Sequence, residues 1–167
     1  SFLILLFSFI EGINVYSSLK EDLIKKLSDK AKYIQQMVNI LTQEKKLEPF
    51  KTTLPFDMTP LGTLVEILVK DSPEPLFMQL TDLNGEILFT SSSLKDSQLP
   101  LFALGTVTSL ELNFLNHPSL PIIYYTTILK IETKPFIFLQ IALSSSPNQA
   151  TLLQFIGYRL LELLIAV

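Results

Sequence analysis

The sequence predicts an α+β domain in which a long amphipathic helix lies on a sheet of about five antiparallel strands. Three observations carry this. No proline interrupts residues 1–46, and Leu19, Leu23, Leu27, Ala31, Ile34, Val38 and Leu41 recur every three or four positions, which lines them up along one side of a helix. An Asp-Leu-Asn-Gly turn joins two apolar runs at residues 76–91, the pattern of a tight hairpin. Two longer apolar runs follow near the C-terminus, and strands that come after helices rather than alternating with them indicate an α+β class.

The first helix, if continuous, is about 65 Å long at ~1.5 Å per residue. Its lower half is expected to pack on the sheet and its upper half to contact a second copy of the chain. Residues 48–59 contain two prolines and no clean period, so they read as a loop. Thr59-Pro60 then offers a cap followed by a proline, and Leu61, Leu64, Val65, Leu68 and Val69 continue at helical spacing to Lys70. Pro73 and Pro75 stop this second helix.

Strands are expected at Leu76 to Thr81 and Glu86 to Ser91, about Gly105 to Leu112, Ile122 to Ile131 and Phe136 to Leu143. Asp82 suits the start of the first turn, and Asn84-Gly85 supplies residues that accept positive φ. The last two strands form a hairpin through Glu132-Thr133-Lys134-Pro135. Their runs, IIYYTTILKI and FIFLQIAL, are apolar at nearly every position, so both faces of this part of the sheet are covered. The long helix takes one face, and the segments Ser92 to Phe102 and Phe114 to Ser119 are candidates for the other. Such a sandwich of helix, sheet and loop encloses space for a small ligand.

The 167 residues allow one domain. Apolar residues make up 48% and charged residues 17%, so the chain is greasier than an average globular domain, and much of the excess sits at the two ends. Phe2 to Ile10 spans only ~15 Å of helix, half of a ~30 Å hydrocarbon core. Because the chain opens without Met inside this run, it is expected to be the tail of a membrane helix; a signal-peptide remnant and a buried helix are the competing readings. At the other end Ser146-Pro147-Asn148-Gln149 is a helix-start signal. The helix it opens carries Gln154, Arg159 and Glu162 before turning wholly apolar from Leu163, as a helix entering a bilayer would. An amphipathic helix docked on the domain is the alternative.

A net charge of −3 provides no footprint for a polyanion, so nucleic acid is not an expected partner. The lysines at 20, 25, 26, 30 and 32 are interleaved with Glu21, Asp22 and Asp29, as on a solvated helix face. There is no Cys, hence no disulfide framework or thiolate metal site. His117 precedes a proline and reads as a turn residue; no nucleophile elbow or phosphate loop occurs, so no catalysis is expected of this chain. Phe89, Tyr124, Tyr125, Phe136 and Phe138 could line a pocket or simply be core. Gln140, between Leu139 and Ile141, is the polar group that needs a partner, as a ligand contact or a buried structural hydrogen bond. The candidate ligand-binding set is therefore Gln140, Tyr124, Tyr125, Phe138 and Phe89.

The order of parts, with FMQLTDLNGEILFTSSSL as strand, D-x-x-G turn, strand, Ser and Leu, resembles the extracytoplasmic PAS-like (PDC-type) sensor region of bacterial transmembrane two-component histidine kinases. The resemblance covers about residues 30–167. It implies residues 1–12 as the end of a first transmembrane helix, 13–146 as the sensor domain, and 147–167 as an exit helix leading into a second span. It further implies a place in the bacterial inner membrane, facing the periplasm or outside. Partners would be a small-molecule or protein ligand, the membrane through both terminal helices, and a second copy through the N-terminal helix. Metal sensors of this layout use His and Met ligands, whereas this chain offers only His117, Met37, Met58 and Met78, so neither a metal nor another cofactor is expected. Alternatives are the input domain of a chemoreceptor or diguanylate cyclase, and a pilin-like or secretion-apparatus subunit, which would have no use for an apolar C-terminal helix.

Overall fold

A computed structural model of the chain describes residues 2–44, 58–101, 103–114, 117–146, 150–151, 153–154, 156–158 and 161. The elements are α1 (Phe2–Gln43), α2 (Thr59–Lys70), β1 (Leu76–Thr81), β2 (Ile87–Thr90), a 3₁₀ turn at Ser92–Leu94, β3 (Val107–Phe114), β4 (His117–Ile131) and β5 (Lys134–Ser144). The five strands form one sheet in the order β2-β1-β5-β4-β3, antiparallel at every pairing. The architecture is the expected α+β arrangement of a long N-terminal helix and a five-stranded antiparallel sheet.

Leu23, Leu27, Ala31, Ile34 and Val38 of α1 are buried on the sheet, and Leu19 and Leu41 lie half-buried at the two ends of the stripe. Their partners are Leu76, Met78 and Leu80 of β1, Ile123, Leu129 and Ile131 of β4, and Ile137, Leu139, Ile141 and Leu143 of β5, with Leu61 and Val65 of α2 completing this core. A side chain of this size contributes about 1.5–3 kcal/mol when fully buried, so the stripe holds α1 firmly over this stretch. The helix then leaves the sheet: Phe7 (63% exposed), Ile10, Ile13 and Tyr16 have no such cover. Among the described residues no helix is long and apolar enough to cross a membrane.

A smaller core covers the opposite face, made by Phe77, Leu94, Leu99, Leu112, Ile122, Tyr124 and Ala142. The segment after β2 thus roofs the sheet, as expected, through Leu94 and Leu99.

Several local expectations shift. Strand β3 runs Val107–Phe114 rather than from about Gly105 to Leu112, because Gly105 takes a positive φ of 74° in the preceding turn. The cap of α2 is Met58, with helical φ/ψ of −81° and −4° and no side-chain cap, rather than Thr59. Proline is tolerated throughout a first helical turn because its missing N–H would be unpaired there, so Pro60 fixes the helix start only to within a residue, and Met58 is drawn in by packing on the core. Strand β4 begins at His117, not Ile122, so His117 pairs with Phe114 beside the turn instead of lying within it. Pro121 is compatible with this because, among the described residues, the β5 ladder starts only at Ile122, and its carbonyl still accepts the Ser145 N–H at 2.9 Å, so no ladder donor is missed there. Lys134 and Pro135 belong to β5, and the hairpin turns on Glu132 at φ 58°.

In the β1–β2 turn only Gly85, at φ 92°, takes a positive φ. Asp82 holds the rest: its Oδ1 accepts from the Asn84 and Glu86 N–H groups at 2.9 and 2.7 Å, and its Oδ2 from the Asn84 side chain at 3.0 Å. Desolvation alone would raise this carboxyl, but the hydrogen bonds from Glu86, Asn84 and Gly85 outweigh it and hold Asp82 below its ordinary value.

Ser146, 150–151, 153–154, 156–158 and 161 are helical, and Leu153, Ile156, Tyr158 and Leu161 are exposed. The expected Pro147 start, the Arg159–Glu162 pairing and the apolar run from Leu163 lie outside the described residues.

Candidate functional site

The roof over the second face is a strap, residues 91–101, held almost entirely by side chains that bind its backbone or by its own serines. Ser91 Oγ accepts the buried Met78 N–H at 2.9 Å and is 2.9 Å from Ser93 Oγ, which donates to the Leu76 carbonyl at 2.7 Å. Glu66 of α2 accepts the Ser92 N–H and hydroxyl at 2.6 and 2.7 Å. Further along, Ser97 donates to the Asn113 carbonyl of β3.

At Leu99 the strap meets the middle of the sheet. Gln79 and Gln140 are direct cross-strand partners on β1 and β5, and Thr126 of β4 pairs with Gln140 from the other side. Gln79 grips the Leu99 peptide with both ends of its amide, Nε2 donating to the carbonyl at 2.9 Å and Oε1 accepting the N–H at 3.1 Å. Gln140 Nε2 donates to the same carbonyl at 3.1 Å, while its Oε1 accepts from Gln79 Nε2 at 3.2 Å. Tyr124 then donates its hydroxyl to the Pro100 carbonyl at 2.8 Å. Both glutamines are buried, Gln140 completely.

Near this grip lie two buried hydroxyls, Thr81 Oγ1 and Thr126 Oγ1, with no hydrogen-bond partner among the described residues. Gln79, Thr81, Thr126 and Gln140 form a polar, uncharged patch inside an apolar face.

The predicted site residues divide between the two faces. Gln140 and Tyr124 meet under the strap, and Phe138, two residues before Gln140, shares that side by strand alternation. Tyr125 and Phe89 pack against the core under α1 instead, together with Phe136. A Cβ at Gly62 of α2 would come within 2.8 Å of the Phe89 ring. Gln79, which the sequence reading did not single out, grips the strap at both ends of its amide. Only its place in an otherwise apolar strand could have flagged it.

Two grooves run beside α1. One, of about 320 Å³, is lined by Tyr16, Leu19, Lys20 and Leu23 of α1, by β3 and β4, and by Ser145. The other, of about 450 Å³, includes Tyr125, Gln35 and Lys130. Beside it Gln35 grips the Lys130 backbone, donating to its carbonyl at 2.6 Å and accepting its N–H at 2.8 Å. This joint occurs where the β4–β5 register slips between Leu129 and Lys130. A bulge of this kind frees backbone groups for other partners. Lys26 adds a second tie, its ammonium lying 2.6 Å from Glu74 and 3.0 Å from Asp22; those hydrogen bonds raise its pKa above the ordinary lysine value. Among the described residues no group of three or more His, Cys, Asp or Glu side chains gathers as for a metal ion.

No protein-family model matches the chain, and no curated protein matches it. Among solved structures, the fold is similar to that of the CusS sensor domain with silver bound, at 17% identity and a TM-score of 0.47 over 78% of this chain and 92% of that one.

Proposed function

We propose that this chain is the extracytoplasmic sensing domain of a membrane-bound sensor histidine kinase of the bacterial inner membrane, which detects a small molecule or a partner protein and transmits the signal through its two terminal helices. The observation that carries the reading is the groove shared by Tyr16, Leu19 and Ser145. It sets Tyr16 and Leu19 of α1 beside Ser145, just past the end of β5, which supports terminal helices that leave from one end toward a membrane.

The detector is the strap. A ligand that takes the Gln79 and Gln140 amides in place of the Leu99 peptide releases residues 97–101, and the sheet then relaxes against α1 through the helix-face core and the Gln35–Lys130 joint. Signalling needs two states that the ligand binds unequally, and a strap held by a few exchangeable hydrogen bonds supplies them. The exposed Phe7, Ile10, Ile13 and Tyr16 of α1 pair two copies of the chain.

These 167 residues hold no cysteine, which allows a direct test of this domain. A single Thr133→Cys, in the exposed β4–β5 turn, should react with a membrane-impermeant maleimide in intact cells; labelling only after lysis overturns the location. In the full protein Gln140→Leu should abolish the response to its stimulus while the domain stays folded. Normal signalling by that variant removes the strap from the mechanism.

A further inference from the structure

Strand β3 pairs with β4 only as far as Val107 opposite Tyr125, while β4 runs on to Ile131. Past that point the outer edge of β4 is met at two places. The loop before β3 reaches it through Gly105, whose N–H donates to the Thr126 carbonyl at 2.9 Å, and α1 reaches it through Gln35 at Lys130. Beside these two ties lies the 450 Å³ groove, walled by α1, Leu104 and β4.

Its lining differs in charge from that of the other groove, where Lys20 is offset by Glu111. Ala31, Leu104 and Leu129 make it partly apolar, and Ser28, Tyr125 and Thr127, all half-buried, add hydroxyl groups. Lys32 and Lys130 line it as well, and no carboxylate does so among the described residues. The acid paired with Lys32 is Asp29, 3.8 Å away, with side chains 73% and 59% exposed, and so open an ion pair holds its members weakly. The two lysines and Asp29 together leave one positive charge, in a chain whose net charge is −3.

We infer that this groove binds a small organic monoanion, a carboxylate held by Lys32 and Lys130 and carried on an apolar body of about one aromatic ring that rests against Ala31, Leu104 and Leu129. Two ammonium groups on one groove repel each other until a counter-charge arrives. Charge-assisted hydrogen bonds to a carboxylate are the strong kind, and the hydroxyls of Ser28, Tyr125 and Thr127 offer further donors. The volume lies within the ~300–1,000 Å³ of small-molecule pockets, which combine apolar walls with a few polar groups. One surplus positive charge matches a monoanion rather than a polyanion. A ligand seated here bridges α1 and β4 beside the Gln35–Lys130 joint. The site is on the α1 face and makes no use of Gln79, Gln140 or the strap.

The test uses the full chain and four probes: benzoate, neutral benzamide of the same shape, cationic benzylamine and inorganic phosphate. Benzoate should bind saturably at low salt, with a Kd of about 1–10 mM for so small a ligand, and should shift the amide resonances of Ser28 to Gln35 and Thr127 to Lys130. Raising the salt should weaken it. Lys32→Gln and Lys130→Gln, both at exposed positions, should each weaken binding about threefold or more with an unchanged melting temperature, whereas Lys130→Arg should retain it. Gln140→Leu should leave benzoate binding unchanged, so this site stands or falls apart from the strap. The inference is overturned if benzoate does not bind, if its shifts fall outside the groove, if either lysine variant or benzamide binds as well as benzoate does to the native chain, if Gln140→Leu abolishes binding, or if phosphate binds equally well, which would leave an adventitious ion only.

Discussion

Replacing Gln79 and Gln140 one at a time by leucine should have unequal consequences, although the two side chains face each other and are both buried. Gln140→Leu removes two hydrogen bonds, its donation to the Leu99 carbonyl and its acceptance from Gln79. It strands nothing fully, since Gln79 still holds both ends of the Leu99 peptide. At about 0.5–1.5 kcal/mol net for each hydrogen bond, offset by the added apolar burial, the loss is about 1 kcal/mol. Gln79→Leu removes three bonds and leaves the Leu99 N–H and the Gln140 Oε1 both without partners, at about 1–3 kcal/mol for each stranded group. The expected loss is therefore about 2–6 kcal/mol. Urea unfolding followed by circular dichroism reads both values, and at roughly 2–4 °C per kcal/mol for a chain of this size the difference is also visible in thermal melts. If Gln140→Leu costs as much as Gln79→Leu, or more, Gln79 is not the residue that anchors the strap.

Thr126→Val exchanges a buried hydroxyl with no partner among the described residues for a methyl group of similar size, and it should stabilise the domain by about 1 kcal/mol in the same unfolding assay; a loss of stability would mean that the hydroxyl is engaged. The depressed Asp82 carboxyl contributes stability that is present above its ordinary value of 3.8 and is lost as the pH falls through the lower folded-state value. Asp82→Asn should flatten that acid limb of the stability profile, and an unchanged limb would assign it to other groups.

Much of the candidate site was legible one residue at a time and not as a site. Gln140 is conspicuous because a lone amide between Leu139 and Ile141 cannot stay buried without a partner. The partner could not be read, because the Gln79↔Gln140 pairing joins residues far apart in sequence, and nothing local to Leu99-Pro100 announces that its backbone will be gripped. The five aromatics failed to form one pocket for a related reason. Tyr124 and Tyr125 are neighbours in sequence, but successive side chains of a strand point to opposite faces, and a run apolar at every position conceals which face each one takes.

The sequence by itself determined the elements and their class: the seven-residue stripe of α1, the Asp82 to Gly85 turn, the proline-bounded α2, and strands covered on both sides. These follow from local periodicity and turn chemistry, which act over a few residues. Only the tertiary structure decided the sheet order β2-β1-β5-β4-β3, the seating of the strap on Gln79, Gln140 and Tyr124, and the end of the sheet from which α1 departs. Those outcomes depend on which distant backbone and side-chain groups meet once the apolar faces are buried, and a hydrogen bond between strands leaves no imprint on the local pattern of either one.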